Sequence, residues 1–194
     1  MANAPDIGCL LIDDPLYSID GLAGTARTRV QSGVRTEVFR WDGATGLHLA
    51  LQRAYQRVRR DGSLNGIVAM GAGCDCALAL ACQLPADRLV LLEPMRWQGA
   101  GETARQLRRI RSFARRNAAF CVADVLAVPG PHTDADVLRR LEGDLNGRMT
   151  LLRAGVELWT NRKEVLNLGI FHFLRDGVLP KSLAENPEMC IIYR

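Results

Sequence analysis

Short apolar runs alternate with longer amphipathic segments along most of the chain. The runs are almost continuously hydrophobic, which is typical of parallel strands that are buried on both faces. We predict strands at 7–12, 34–39, 66–70, 88–92, 119–123 and 149–152. The segments between them are long enough for crossover connections, so all the strands can run in the same direction. The pattern predicts an α/β fold of three layers, in which helices cover both faces of a parallel sheet of about six strands.

The helices predicted between these strands are amphipathic or rich in small residues. They lie near 18–31, 44–60, 75–83, 104–117, 134–145 and 161–175. The last helix has a capping box, because Glu164 follows Asn161 by three residues, and Gly177 stands beyond its end, where a left-handed residue is favoured. The apolar tail 189–193 is expected either to add an edge strand or to contact a second subunit of a homodimer.

Length and composition are those of one globular domain, 1–194. Of the 194 residues, 48% are apolar and 24% are charged, which is ordinary for a globular protein and sufficient for a substantial core. No apolar run is long enough to span a membrane, and the N-terminus lacks the basic start and apolar stretch of a signal peptide. We therefore expect a cytoplasmic protein without a membrane partner.

Charge and cysteine spacing argue against several kinds of partner. The net charge is only +4, and the arginines that dominate it are spread along the chain instead of forming one basic face, so nucleic acid is not an expected partner. The cysteines are Cys9, Cys74, Cys76, Cys82, Cys121 and Cys190. None belongs to a C-x-x-C pair, which favours buried reduced thiols and predicts neither a metal site nor a cofactor.

The run 66–81 carries the most informative motif, an apolar strand followed by a glycine-rich turn and a helix of small residues. It resembles the nucleophile elbow of the α/β-hydrolases, whose pattern is G-x-S-x-G. Laid on that pattern without gaps, 71–75 places Gly73 at the nucleophile, where no hydroxyl is available. The resemblance extends from about residue 7 to residue 175 and implies a minimal α/β-hydrolase fold, similar to small single-domain serine hydrolases.

The other catalytic positions that the resemblance implies are changed as well. Asp13 and Asp14 occupy the oxyanion loop after the first strand, where carboxylates would repel a developing negative charge. The alignment places Ala127 at the acid and Val156 at the histidine. The resemblance therefore implies a hydrolase homologue with a degenerate triad, a pseudoenzyme that binds a small molecule or a protein. The candidate ligand-binding residues are Asp13, Asp14, Gly73, Cys74 and Asp75.

An enzymatic alternative shifts the elbow by one residue and makes Cys74 the nucleophile of an ester or thioester hydrolase. A helix N-terminus favours the reactive thiolate form of a cysteine. His132, in the loop after the strand that contains Cys121, would be the base, and Glu93, at the end of the strand 88–92, would be the acid. The competing interpretation of His132 is a solvent-exposed loop histidine.

A nucleotide-binding interpretation of the same turn also stays open. The fingerprint G-x-G-x-x-G matches at Gly71 and Gly73, but Cys76 stands at its third glycine and the motif does not follow the first strand.

The predicted helix 104–117 is rich in arginine. Either this is the solvated face of an ordinary covering helix, or the helix lies where hydrolases insert a cap and binds an acidic partner. The arginines are Arg105, Arg108, Arg109, Arg111, Arg115 and Arg116. Structural roles are expected for His48 and His172, and for Trp41, Trp97 and Trp159.

Overall fold

The sheet of the computed structural model follows the apolar runs of the sequence. The structure describes residues 7–13, 34–40, 45–59, 64–95, 101–116, 122–133, 135–145, 149–153, 163–185 and 190–192. The strands are β1 (Ile7–Ile12), β2 (Val34–Phe39), β3 (Leu64–Met70), β4 (Ala86–Leu92), β5 (Val122–Val128), β6 (Met149–Leu152) and β7 (Cys190–Ile192). Their order in the sheet is β2-β1-β3-β4-β5-β6-β7.

The first six strands are parallel, and β7 joins β6 in antiparallel orientation at one edge. This confirms the predicted parallel sheet and the prediction that the apolar tail adds an edge strand. The strand order reverses beside β1, because β2 lies on one side of it and β3 on the other. In open α/β sheets, ligands bind outside the carboxyl ends of the strands at such a reversal. The topology therefore predicts a binding site at the carboxyl ends of β1 and β3.

The helices also lie close to their predicted positions. They are α1 (Leu47–Val58), α2 (Gly73–Ala81), α3 (Glu102–Arg116), α4 (Ala135–Leu145), α5 (Lys163–Asp176) and the single turn α6 (Lys181–Ala184). The helix predicted at 18–31 falls outside the described residues.

The strand β5 corrects the prediction of a strand at 119–123. It runs to Val128, immediately before Pro129, which has no N–H to continue a ladder. Asp124, the polar residue that interrupts the apolar run, lies near the start of the strand, and Arg88 Nη1 of β4 is 2.7 Å from its Oδ2. A cross-strand ion pair therefore accommodates a charge that ended the strand in the sequence prediction.

Two apolar layers enclose the sheet. Along β1, Leu10 and Ile12 pack into the layer that contains α1 to α4, while Cys9 and Leu11 pack into the layer that contains α5 and α6. This alternation is what the pleat of a strand produces when both faces are covered. The structure thus has the three layers that the hydrophobic pattern predicts.

The carboxyl end of α1 packs directly on β1 at Gly8. A Cβ atom at Gly8 would overlap the carbonyl oxygen of Val58, the last residue of α1. Arg35 Nη2 of β2 donates to the same oxygen at 3.2 Å. One turn earlier, the fully buried Tyr55 donates its hydroxyl to Pro85 O at 2.7 Å, and burial raises the pKa of this phenol far above its ordinary value. The phenol therefore stays a donor.

Gly8→Ala should lower the free energy of unfolding by about 1–3 kcal/mol, because α1 must move away from β1 to admit the methyl group. Urea denaturation measures the change. Gly143→Ala is the matched control: Gly143 is exposed in α4 with open space around its missing Cβ, so the same substitution should stabilise the protein by about 0.5–1 kcal/mol. Equal unfolding midpoints for the Gly8 variant and the wild type would contradict this packing.

Candidate functional site

A sharp turn joins β3 to α2 at the reversal point of the sheet. β3 ends at Met70 and α2 begins at Gly73, and between them Gly71 has a positive φ of 56°. Gly71 N donates to Leu92 O of β4 at 3.0 Å, and Gly71 O accepts from Cys74 N at 3.2 Å. The turn is therefore fixed both to the neighbouring strand and to the first turn of the helix.

This geometry corrects the sequence register, which placed Gly73 at the strained turn. The residue with positive φ is Gly71, and Gly73 is already helical. Since the nucleophile of an elbow sits on the strained strand-to-helix turn, the pattern small-x-nucleophile-x-small falls on Ala69, Gly71 and Gly73. The residue at the turn is again a glycine, so the turn presents no side chain.

Gly73 has a different role, which is close packing. A Cβ atom there would lie 2.8 Å from Asp13 O and 3.0 Å from Ile12 O at the end of β1. The absence of a side chain lets α2 begin directly against β1. The two glycines of the turn therefore meet separate needs, a left-handed backbone at Gly71 and a close approach at Gly73.

Acidic side chains lie around this turn. Asp13 follows β1 and is half-buried, and one of its carboxylate oxygens is fully buried. Asp75 lies half-buried in the first turn of α2. Asp14 falls outside the described residues. The structure thus brings Asp13, Gly73 and Asp75 to the same edge of the sheet, and their ligand-binding role stays a prediction.

Cys74 points into the protein. Cys74 is only 2% exposed, and its Sγ lies 3.6 Å from both Ala69 O and Leu92 O. A thiol in this position donates to backbone carbonyl groups of β3 and β4. An attack on a substrate would require the thiol to leave these carbonyls and turn outward.

Glu93 follows β4 and carries an unusual backbone. It has a φ of 47°, which costs a residue other than glycine on the order of 1–2 kcal/mol. It is only 8% exposed. Its N donates to Val128 O at 2.8 Å, and its Oε1 accepts from the backbone N of His132 at 2.7 Å. Hydrogen bonds to β5 and to the loop after β5 thus hold the strained residue.

The structure brings Glu93 and His132 together, but through the backbone of His132. The imidazole of His132 is exposed and forms no hydrogen bond within the described part of the chain. Cys74 belongs to the same neighbourhood, because Leu92, whose carbonyl its thiol approaches, immediately precedes Glu93. The segments of the enzymatic alternative are therefore neighbours, while the inward thiol and the exposed imidazole lack the alignment of a nucleophile and its base.

The structure describes one of the two positions that the resemblance assigns to the catalytic acid and histidine. Ala127 lies inside β5, fully buried and paired with Leu91 and Leu151. It cannot correspond to an acid that follows the strand, and the loop that does follow is 129–133. The alignment failed here because β5 extends to Val128. Val156 lies outside the described residues.

Sequence reasoning missed the burial and the backbone strain of Glu93. The available signal was a glutamate directly between a buried apolar strand and Pro94. Such a position leaves a carboxylate at a strand end, where sites are commonly built. The register of the turn also had a signal, since Gly71 is the first residue after the apolar run of β3.

The arginine-rich helix α3 packs as a covering helix. Ala104 and Leu107 are buried against the core, whereas Arg105, Arg108 and Arg109 are exposed. Arg105 Nη2 is 2.6 Å from Glu102 Oε2 on the same helix. The arginines of α3 whose burial is described are therefore solvated, and the binding of an acidic partner by this helix stays a prediction.

The remaining candidates do not add to the site. His48 is half-buried in α1, and His172 is half-buried in α5 with its Nδ1 3.4 Å from Asp176 Oδ2. Trp41, Trp97 and Trp159 lie outside the described residues. Within the described ranges, no three His, Cys, Asp or Glu side chains are grouped to hold a metal ion. No described helix has the length and apolar character to cross a membrane.

Comparisons with known proteins identify a shared fold. No protein-family model matches the chain, and no curated protein matches it in sequence. Among solved structures, the chain is similar to the esterase domain of a Rhodothermus marinus protein, with 12% identity, a TM-score of 0.62, and coverage of 84% of this chain and 83% of that one. It is also similar to the ydeN gene product of B. subtilis, with 12% identity, a TM-score of 0.52, and coverage of 75% and 84%.

Gly73→Ser should destabilise the protein by about 1–3 kcal/mol, because its Cβ would press on the carbonyl oxygens of β1. Gly46→Ser is the matched control. Gly46 is the N-cap of α1 with open space around its missing Cβ, and serine is a good capping residue, so its unfolding midpoint should stay the same or rise. Urea unfolding of both variants tests the close approach, which is wrong if the two midpoints are equal.

Cys74 should resist alkylation by iodoacetamide at neutral pH in the folded protein, because its thiol is buried against carbonyl groups. Cys82, half-buried beyond the end of α2, is the internal reference and should react first. Peptide mass spectrometry locates the label on each residue. Faster labelling of Cys74 than of Cys82 would contradict the inward geometry and would favour the enzymatic alternative.

Proposed function

We propose that this chain, whose fold is that of the α/β-hydrolases, binds a small molecule or a protein at the carboxyl ends of its central strands without hydrolysing it. The observation that carries this proposal is Gly71. In a hydrolase of this fold the turn between β3 and α2 presents the attacking side chain. Here the turn keeps its positive φ and has no side chain to attack with.

The charge around the turn supports the same conclusion. Acyl transfer by this fold needs donors that stabilise a developing oxyanion beside the nucleophile. Instead, the described residues at this edge include the carboxylates of Asp13, Asp75 and Glu93. Negative charges at this position raise the energy of an oxyanion, so the site is poorly suited to ester hydrolysis.

The same edge is well suited to binding. It lies at the reversal of strand order beside β1, where α/β sheets leave a crevice between diverging connections. The esterase domain of the Rhodothermus marinus protein shares this fold, but a shared fold carries many functions, and the site decides among them. A site that has carboxylates and no nucleophile at its central turn favours recognition over turnover.

The alternative is a small ester or thioester hydrolase that uses Cys74, with His132 as base and Glu93 as acid. One observation favours it, which is the proximity of the three residues. The Cys74 thiol contacts Leu92 O, Glu93 is the next residue after Leu92, and the Glu93 carboxylate accepts from the backbone N of His132. In this alternative the thiol leaves the carbonyl groups when substrate binds.

A screen of p-nitrophenyl esters and acyl thioesters distinguishes the two functions. We expect no turnover above buffer for the wild type, for Cys74→Ala or for Gly71→Ser. The serine variant should stay inactive because the carboxylates would still oppose an oxyanion. Circular dichroism verifies that each variant is folded.

Wild-type turnover that disappears in Cys74→Ala and persists in the control Cys82→Ala would overturn the binding proposal and establish the cysteine enzyme. A burst of product from Gly71→Ser would also contradict it, since the rest of a hydrolytic site would then be in place.

A further inference from the structure

Glu93 is a buried carboxylate beside the turn that has no nucleophile. It follows Leu92, whose carbonyl accepts the Gly71 N–H at 3.0 Å, so Glu93 lies next to the turn across the β3–β4 ladder. The residue is 8% exposed. It thus combines a position at the candidate site with nearly complete burial.

The charge of this carboxylate is not balanced within the described residues. Its Oε1 accepts one hydrogen bond, from the backbone N–H of His132. No described lysine, arginine or histidine side chain forms an ion pair with it, and no described donor reaches Oε2. Burying a charge without a cation is unfavourable, and buried carboxylates are normally paired. Among the described residues, Glu93 therefore has no cationic partner.

The loop after β5 is built around the carboxylate and holds it in place. A Cβ atom at Gly130 would lie 2.7 Å from Glu93 Cδ and 2.8 Å from its Oε1, so only glycine leaves the carboxyl group its space. The same loop is closed by Thr133, whose Oγ1 accepts from Gly130 N at 2.8 Å and whose N donates to Gly130 O at 3.1 Å. Glu93 is preorganised, which lowers the entropy lost when a ligand binds.

We propose that Glu93 anchors the ligand by accepting an ion-paired hydrogen bond from a primary ammonium group of a small molecule. This rests on the proposed function, in that it specifies the ligand class of the same binding edge. A neutral alcohol would provide a donor but would leave the buried charge unbalanced.

The test is a titration of the ¹⁵N-labelled protein with n-butylammonium chloride, followed by the amide signals of Gly71, Gly130 and His132. n-Butanol and sodium butyrate are probes of the same chain length without the positive charge, and sodium chloride controls for ionic strength. We expect saturable shifts of these signals with butylammonium only.

Glu93→Gln separates the charge from the shape. The glutamine keeps a side-chain oxygen for the His132 N–H and removes the negative charge, so butylammonium should bind about tenfold more weakly or not at all. Glu185→Gln, at an exposed glutamate that follows α6, is the matched control and should bind as the wild type does.

Three results would overturn the proposal: no saturable shift in the wild type, butanol binding as tightly as butylammonium, or equal affinity in Glu93→Gln. The first two results are measured on the wild type, so they test the proposal even if the glutamine variant does not fold. Ester turnover is a separate readout: a protein that hydrolyses esters and still binds butylammonium through Glu93 would refute only the non-catalytic function.

Discussion

The close approach of α2 to the end of β1 is the constraint on which the candidate site depends. Because Gly73 has no Cβ, the first turn of α2 starts against the carbonyl oxygens of Ile12 and Asp13. Because Gly71 adopts a positive φ, the chain reverses from β3 into that helix within two residues. The hydrogen bond from Gly71 N to Leu92 O then holds the end of β4 against the same turn. The ends of three neighbouring strands are thereby held in one fixed arrangement.

That arrangement gives the turn a part in the fold that requires no side chain at Gly71. The turn contributes to the fold, since it sets the distance between α2 and β1, and this contribution needs glycine instead of a reactive side chain. What remains for function is the shape and the charge of the edge. Its described acidic residues come from three places in the fold: Asp13 follows β1, Asp75 lies in the first turn of α2, and Glu93 follows β4. These carboxylates are the basis of the proposed preference for a cationic ligand over the anionic intermediates of acyl transfer.

The central strands were predictable because burial on both faces leaves a continuous apolar signal that does not depend on distant residues. The bounds of β5 were not predictable, because Asp124 is accommodated by Arg88 from another strand, and a single sequence does not show which strands pair. The register of the turn failed for a similar reason. The run 71–73 contains two glycines with different requirements. Gly71 needs a positive φ and Gly73 needs space for a close approach, and only the backbone structure distinguishes them. The burial of Glu93 also depends on a long-range contact, with the loop after β5.

β3 and β4 end in the same way and differ in one respect. Each is followed by a residue with positive φ, Gly71 at 56° and Glu93 at 47°. Glycine adopts this backbone without strain, whereas a glutamate is strained, and a glycine after β4 would remove that strain. The hydrogen bond from His132 N and the space that Gly130 leaves open both act on the carboxyl group of Glu93 and not on its backbone. Replacing Glu93 by glycine would thus relieve the strained backbone and would also remove these contacts of the carboxyl group. Strain that the fold alone does not require is typical of functional residues, and it supports the proposed role of the Glu93 carboxylate as the ligand anchor.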